Sequence, residues 1–236
     1  MTDKVEPRTA ATVVLIRDGE HGPETLLLQR NRAVKFAGGM WVFPGGSLDP
    51  EDWEQANGDE AGAARVGAAR EAAEESNLDV DPDTMVQISH WTTPEAEPKR
   101  FYTWFFLALA PSDHTVSIDD SEIKDHAWMN IAEAVSQHEA GELGLFPPTI
   151  MTLRRLLGYM SAEDAMIGVA ARDPVTVFPV FAKSESGFGI MFEGDAGYAS
   201  GDLDAQGPRH RAVMVDSAWQ YQHEGVDVGV VRLDGA

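Results

Sequence analysis

The sequence predicts an α/β protein with a β-rich C-terminal extension, and three observations carry that expectation. Two apolar runs near the start flank a turn-forming stretch, a long alanine-, glutamate- and arginine-rich segment follows, and from about residue 173 short β-like runs alternate with Gly and Asp. Residues 11–17 read as a buried strand, 18–23 as a turn, and 24–30 as the second strand of a hairpin. Residues 36–46 form a glycine-rich loop ending in Phe43-Pro44-Gly45-Gly46, where backbone can approach a ligand closely.

Residues 60–76 are a strong helix, because Ala, Glu and Arg lose little freedom in helical geometry. Asn77 follows, a residue that tolerates the left-handed conformation just past a helix end. Residues 84–93 and 100–110 read as two more strands, the second apolar enough to be central. A strand at 126–131, a short helix at 131–140 and a helix at 149–160 opened by Pro147-Pro148 complete this part. The expected division is residues 1–165 and an extension over 166–236, built from β-like runs at 175–181, 187–192 and 211–215. The extension is expected to act as a subdomain, a lid or a dimerisation element, so a homodimer stays open.

Bulk properties narrow the function classes. Of 236 residues, 43% are hydrophobic, ordinary for a packed core, and none is cysteine, which removes disulfides and thiolate metal sites. No run reaches the roughly 20 apolar residues of a membrane span, and the first residues lack the apolar core of a secretory signal. A cytoplasmic location and no membrane partner are therefore expected. Acidic residues number 39 against 18 basic ones, a net charge of −21, which argues against nucleic acid as a partner. Against that background Arg30, Arg32 and Lys35 form a local cationic exception suited to an anionic ligand.

The chemistry concentrates in Arg70-Glu71-Ala72-Ala73-Glu74-Glu75. Glu71, Glu74 and Glu75 fall on one helical face, where three carboxylates repel one another. Acidic helix faces are usually solvated surface. Here the Phe-Pro-Gly-Gly turn upstream makes a loop–helix unit, and a divalent cation is the natural neutraliser; hard oxygen ligands suit Mg²⁺ or Mn²⁺. Arg70 is placed to pair with one carboxylate and fix its rotamer.

This segment resembles the Nudix box: Gly, five residues, Glu, seven residues, Arg-Glu, an apolar residue, any residue, Glu-Glu, any residue, Gly, apolar. Gly46, Arg70, Glu71, Glu74, Glu75 and Leu78 match, Asp52 stands where the family has its first Glu, and Asn77 replaces the last Gly. The spacing from Asp52 to Arg70 exceeds the motif by ten residues, an insertion that resembles the peroxisomal coenzyme A diphosphatase branch. Leu26, Leu27, Arg30, Gly39 and Phe43 to Gly46 also keep the register of a coenzyme A pyrophosphatase signature, with Leu28, Asn31 and Lys35 differing from it.

The resemblance, over about residues 10–160, implies a Nudix α/β/α sandwich with a mixed sheet between helices. It implies a metal-dependent diphosphatase in which water attacks a phosphorus atom of a small nucleotide-derived diphosphate. Glu71, Glu74 and Glu75 are the implied metal ligands, with Arg70 in support and Glu74, Glu75 or Glu122 as the base. Arg30, Lys35, Gly45 and Gly46 are the implied substrate contacts. Coenzyme A or an acyl derivative is the preferred substrate; ADP-ribose, nucleotide sugars and dinucleoside polyphosphates are the enzymatic alternatives. A ligand-sensing Nudix module without turnover is the alternative of another class. Trp91, Phe101, Tyr102 and Trp104 are candidates to stack on a base, though aromatic strand residues more often fill a core.

Overall fold

The computed structural model describes residues 5–32, 38–112, 115–118, 122–184 and 187–235. Strand β1 (Arg8–Gly19) turns back into β2 (Gly22–Arg30). Short strands β3 (Trp41–Val42) and β4 (Gly45–Ser47) lead to helix α1 (Pro50–Gln55) and the long helix α2 (Glu60–Ser76). Strands β5 (Val86–Thr92), β6 (Phe101–Leu109) and β7 (Ile123–Asn130) follow, then helices α3 (Ile131–Glu139), α4 (Pro147–Leu156) and α5 (Ala162–Ala170). The chain ends in β8 (Val175–Val177), β9 (Val180–Ser184), β10 (Gly187–Met191), β11 (Arg209–Val215) and β12 (Ala218–Glu224).

The main sheet runs β3-β2-β1-β6-β5-β8, with β4 paired to β1 and β7 to β2. It is mixed: β1 lies parallel to β6 from Arg8↔Phe101 to Ile16↔Leu109, while β1–β2, β2–β7 and β5–β6 are antiparallel. Side chains alternate across its two faces. Val13, Leu15, Trp104 and Phe106 pack with the alanines of α2 on one face. Val14, Ile16, Phe105 and Leu107 pack with α3, α4 and α5 on the other. This is the expected sandwich, and β6 is central as its apolar run predicts.

A second, antiparallel sheet, β12-β11-β10-β9, forms the β-rich C-terminal part. Its inner face adds Ile190, Ala212 and Trp219 to the core cluster under α3–α5, while Ala182, Met191 and Leu203 form a small outer cluster. On the far side a buried ion pair, Arg211 with Asp195 at 2.5 Å, also ties the backbone N–H groups of Gly197 and His210 to the same carboxylate. Three differences from the sequence expectations stand out. The expected single run at 175–181 splits, so β8 joins the main sheet beside β5 while β9 starts the second. Helices α1 and α5 are a second difference, and strand β12 is a third.

Candidate active site

Helix α2 is built to sit close to its neighbours. Asp59 caps its start by accepting from the Gly62 N–H at 2.7 Å, and Ala63, Ala64, Gly67, Ala68 and Ala72 line the buried side. Asn77 ends it at φ 58° and ψ 32°, the left-handed geometry expected there. The ten extra residues of the spacing are taken up by α1 and the turn after it, where Asn57 and Gly58 both have positive φ. A Cβ at Gly67 would lie 2.8 Å from Leu48 Cδ2 and 3.0 Å from Asp52 Oδ2, so α2 passes close to the segment that leads into α1 at this glycine.

The Phe43-Pro44-Gly45-Gly46 turn is held against β1. Thr12 Oγ1 and the Val13 N–H both donate to the Pro44 carbonyl, at 2.5 and 3.0 Å. A Cβ on Gly45 would meet the Ala11 carbonyl at 2.5 Å, and one on Gly46 would meet Glu71 Oε1 at 2.3 Å. Gly45 therefore permits the close approach of the turn to β1, and Gly46 its close approach to α2. The Gly45 N–H donates to Glu75 Oε2 at 2.9 Å, a direct bond from the loop to the carboxylate face.

Arg70 gathers the acidic groups. It donates to Glu71 Oε1 at 3.0 Å, Glu74 Oε2 at 3.2 Å, the Ser47 carbonyl at 3.1 Å and both carboxylate oxygens of Asp52. The hydrogen bond to Asp52 is the main reason its guanidinium is held even more firmly protonated than usual. Burial pushes the Glu71 carboxyl up, an effect that Arg70 partly offsets. Burial lifts the Glu75 carboxyl to about 7, against the opposing hydrogen bond from Gly45. Glu74 remains largely exposed.

Arg30, Gly45, Gly46, Arg70, Glu71, Glu74, Glu75 and Glu122 all line one cleft of about 940 Å³. Arg30 pairs with Glu122 at 3.2 Å, bringing a basic candidate at the end of β2 and an acidic one just before β7 to the cleft edge. Lys35 lies outside the described residues. Of the four aromatic candidates, Trp91 and Phe101 line the cleft, while Trp104 and Tyr102 pack with the α2 side of the sheet beside His90. The cleft also reaches residues that the sequence reading did not single out as site residues: Phe105 and Phe146, and Phe181 and Ile190 of the second sheet.

The donor set fits a hard divalent cation in kind, since Glu71, Glu74 and Glu75 offer only carboxylate oxygen and Glu75 is buried at a cost a cation would relieve. Among the described residues, no three His, Asp or Glu side chains already converge as a closed cage, and Glu71 and Glu74 are turned to Arg70. A closed cage is not required, because Mg²⁺ usually keeps several waters and takes one or two carboxylates together with substrate phosphates. Among the described residues no helix is long and apolar enough to cross a membrane.

Comparison with known proteins agrees with this geometry. The sequence model of the NUDIX domain matches residues 6–148. A Caenorhabditis elegans protein assigned as nudix hydrolase 7 is 28% identical over 184 residues, 63% of this chain. The Xenopus laevis protein named acyl-coenzyme A diphosphatase NUDT19 is 25% identical over 132 residues, 53% of this chain. The matches span 60% of the nematode protein and 34% of the frog protein. The crystal structure of a NUDIX hydrolase from Alicyclobacillus acidocaldarius superposes with a TM-score of 0.63 at 27% identity, over 69% of this chain and 96% of that one.

Proposed function

The chain belongs to the Nudix family, and on that premise we propose that it is a divalent-metal-dependent hydrolase of a small nucleotide-derived diphosphate, with coenzyme A or an acyl-coenzyme A as the preferred substrate. One observation carries the proposal: the Gly45 N–H bonds Glu75 while Glu71 and Glu74 share Arg70, so the glycine turn and all three helix glutamates meet in one cleft. The register of Arg30 and the Phe43–Gly46 turn, and the name of the frog relative, favour the coenzyme A class.

In this reading Glu71, Glu74 and Glu75 hold Mg²⁺ or Mn²⁺. Bound there, the cation would neutralise charge on the phosphate oxygens and acidify the attacking water. The Gly45 N–H holds the Glu75 carboxylate in place, and Arg70 fixes the rotamers of Glu71 and Glu74. Arg30, at the edge of the cleft, meets a phosphate of the substrate. Water adds to one phosphorus and the bridging oxygen leaves with the other phosphate, so coenzyme A yields two phosphate esters: adenosine 3′,5′-bisphosphate and phosphopantetheine. The ligand and contact roles, the two-part division of the chain at about residue 165 and a cytoplasmic setting belong to the same proposal.

The test is a turnover assay with Mg²⁺ or Mn²⁺ on coenzyme A, its 3′-dephospho form and ADP-ribose, reading the phosphate-ester products. Coenzyme A is expected to be cleaved with the highest kcat/KM. ADP-ribose cleaved much faster than either would move the substrate assignment and leave the metal site standing. No cleavage of any diphosphate would leave a ligand-sensing module instead.

A further inference from the structure

The carboxylate site accounts for one part of the cleft. Elsewhere the same cleft is walled by Trp91, Phe101, Phe105, Phe146, Phe181 and Ile190. Phe181 and Ile190 lie outside residues 6–148, the span matched by the family's domain. They are cross-strand partners of β9 and β10, so their side chains share one face. Ile190 and Phe181 both pack with the main core, while Ala182 and Met191 point to the opposite face. Phe101, Thr103 and Phe105 are alternate residues of β6 and face the cleft together. The two sheets thus contribute facing walls, bridged by the edge-to-face contact of Trp91 with Phe192 at 5.9 Å.

We infer that the second sheet selects the substrate: Phe181 and Ile190, opposite Phe101 and Phe105, hold an aliphatic arm attached to the diphosphate that lies against Glu71, Glu74 and Glu75. The inference rests on the proposed diphosphatase reading and narrows it to acylated substrates. An aliphatic chain suits these walls better than a purine. A purine's ring nitrogens and amino group need hydrogen-bond partners; Thr92, Thr93 and Thr103 of the cleft offer them, but Phe101, Phe105, Phe146, Phe181 and Ile190, where the arm is placed, do not. An acyl chain needs none and gains from every methylene removed from water. Continuity with the carboxylates also sets the order along the ligand, with its charged portion at the α2 end and its apolar portion between the sheets.

The experiment measures binding and turnover separately. Calorimetric titration of the full chain with acetyl-coenzyme A, octanoyl-coenzyme A and octanoate alone reads affinity, and cleavage of the diphosphate of the two acyl-coenzymes A with Mg²⁺ reads activity. A fully buried methylene is worth about fourfold in affinity, so even partial burial of six extra methylenes should make octanoyl-coenzyme A bind at least tenfold tighter than acetyl-coenzyme A. In Phe181→Ala that ratio should fall at least threefold, and in Phe181→Leu most of it should return. The wild-type ratio needs no variant, so a poorly folding substitution does not remove the test. Equal affinities for the two thioesters overturn the inference, as does a ratio unchanged in folded Phe181→Ala. Octanoate binding as tightly as its thioester also overturns it, because the cleft would then read a free lipid. A chain-length preference without diphosphate cleavage in either acyl-coenzyme A defeats the diphosphatase reading and leaves the inference standing.

Discussion

Arg70 and Asp52, eighteen residues apart in the chain, meet in two hydrogen bonds, Nε to Oδ1 at 3.2 Å and Nη2 to Oδ2 at 3.1 Å. Asp52 is only 1% exposed and also accepts from the Asp49 N–H at 2.8 Å, so it closes the start of α1 while anchoring α2. Asp52→Ala should therefore lower stability by about 2–4 kcal/mol, since it leaves Arg70 short of its best partner and removes a helix cap. For a chain of this size that is a fall in Tm of roughly 4–16 °C. A variant melting within 2 °C of the wild type would show the pair to be incidental.

Glu74→Gln keeps the side chain's shape and removes its charge. Glu74 is 60% exposed and makes one described ion pair, so the fold should survive. Turnover with Mg²⁺ should drop by at least ~100-fold, the scale of a lost electrostatic contribution at a reacting centre. Steady-state kinetics beside a circular dichroism melt checks both halves, and wild-type rates from the variant would remove Glu74 from the metal site.

Asn77 holds φ 58°, where a β-branched side chain is strained. Asn77→Gly should be neutral or mildly stabilising, and Asn77→Val should cost about 1–2 kcal/mol. Denaturant titrations of the three proteins give the comparison directly; a valine variant as stable as the wild type contradicts the geometry.

Removing residues from about 173 onward should give an aggregating or less stable protein. The cut takes away β8, which pairs with β5, and the inner face of the second sheet, which covers Trp91 and the α3–α5 core. Large apolar surface would be exposed. Size-exclusion chromatography and a thermal melt are the readouts, and a monodisperse truncation with an unchanged Tm would show the sheet to be dispensable for stability.

His138 joins α3 to the second sheet: its Nε2 accepts from the Trp219 N–H at 2.9 Å, so its Nδ1–H donates to the Leu143 carbonyl at 2.9 Å. Burial lowers its pKa below the ordinary value, against the smaller upward effect of Leu143; Arg154 pushes it further down and Glu139 up. The unfolded chain then takes up a proton that the folded one refuses. Stability from this group is complete above about pH 6.5 and declines as pH falls from there through the lower folded value, by at most ~1.4 kcal/mol per pH unit. His138→Gln removes the titration, so the Tm gap between wild type and variant should narrow from pH 7 to pH 5. A constant gap would refute the linkage.

The elements that were legible in the sequence are those whose signals are local. Helix α2 carries its own propensity, cap and terminator within residues 59–77, and the hairpin β1–β2 carries an apolar run on either side of a turn. The glutamate face and the glycine turn could be linked because both are written as short motifs. Helix α1 was missed although its signal was there: Asp49, Pro50 and Asp52 spell a capping box with proline in the first turn. Strand β12 was missed because Trp219, Tyr221 and His223 alternate with Gln and Glu, a pattern too polar to read as a strand by hydrophobicity. The apolar walls of the cleft were not legible for a different reason. Phe181 and Phe101 are distant in sequence, and nothing within either segment reports that two sheets will bring them to one cavity.

The parallel pairing of β8 with β5 has a consequence for how the molecule is made. It joins Ser89 to Val175, partners more than a third of the chain apart, and the cleft's second wall follows later still at Ile190. Parallel contacts between such distant segments form slowly, because a long loop must close before any contact rewards it. During synthesis the glutamate helix and the glycine turn emerge well before Phe181 and Ile190 do, so in a nascent chain the carboxylate face exists before the apolar wall opposite β6. Refolding from denaturant should show the same order, with α2 helicity returning before Trp91 is shielded from solvent quenchers.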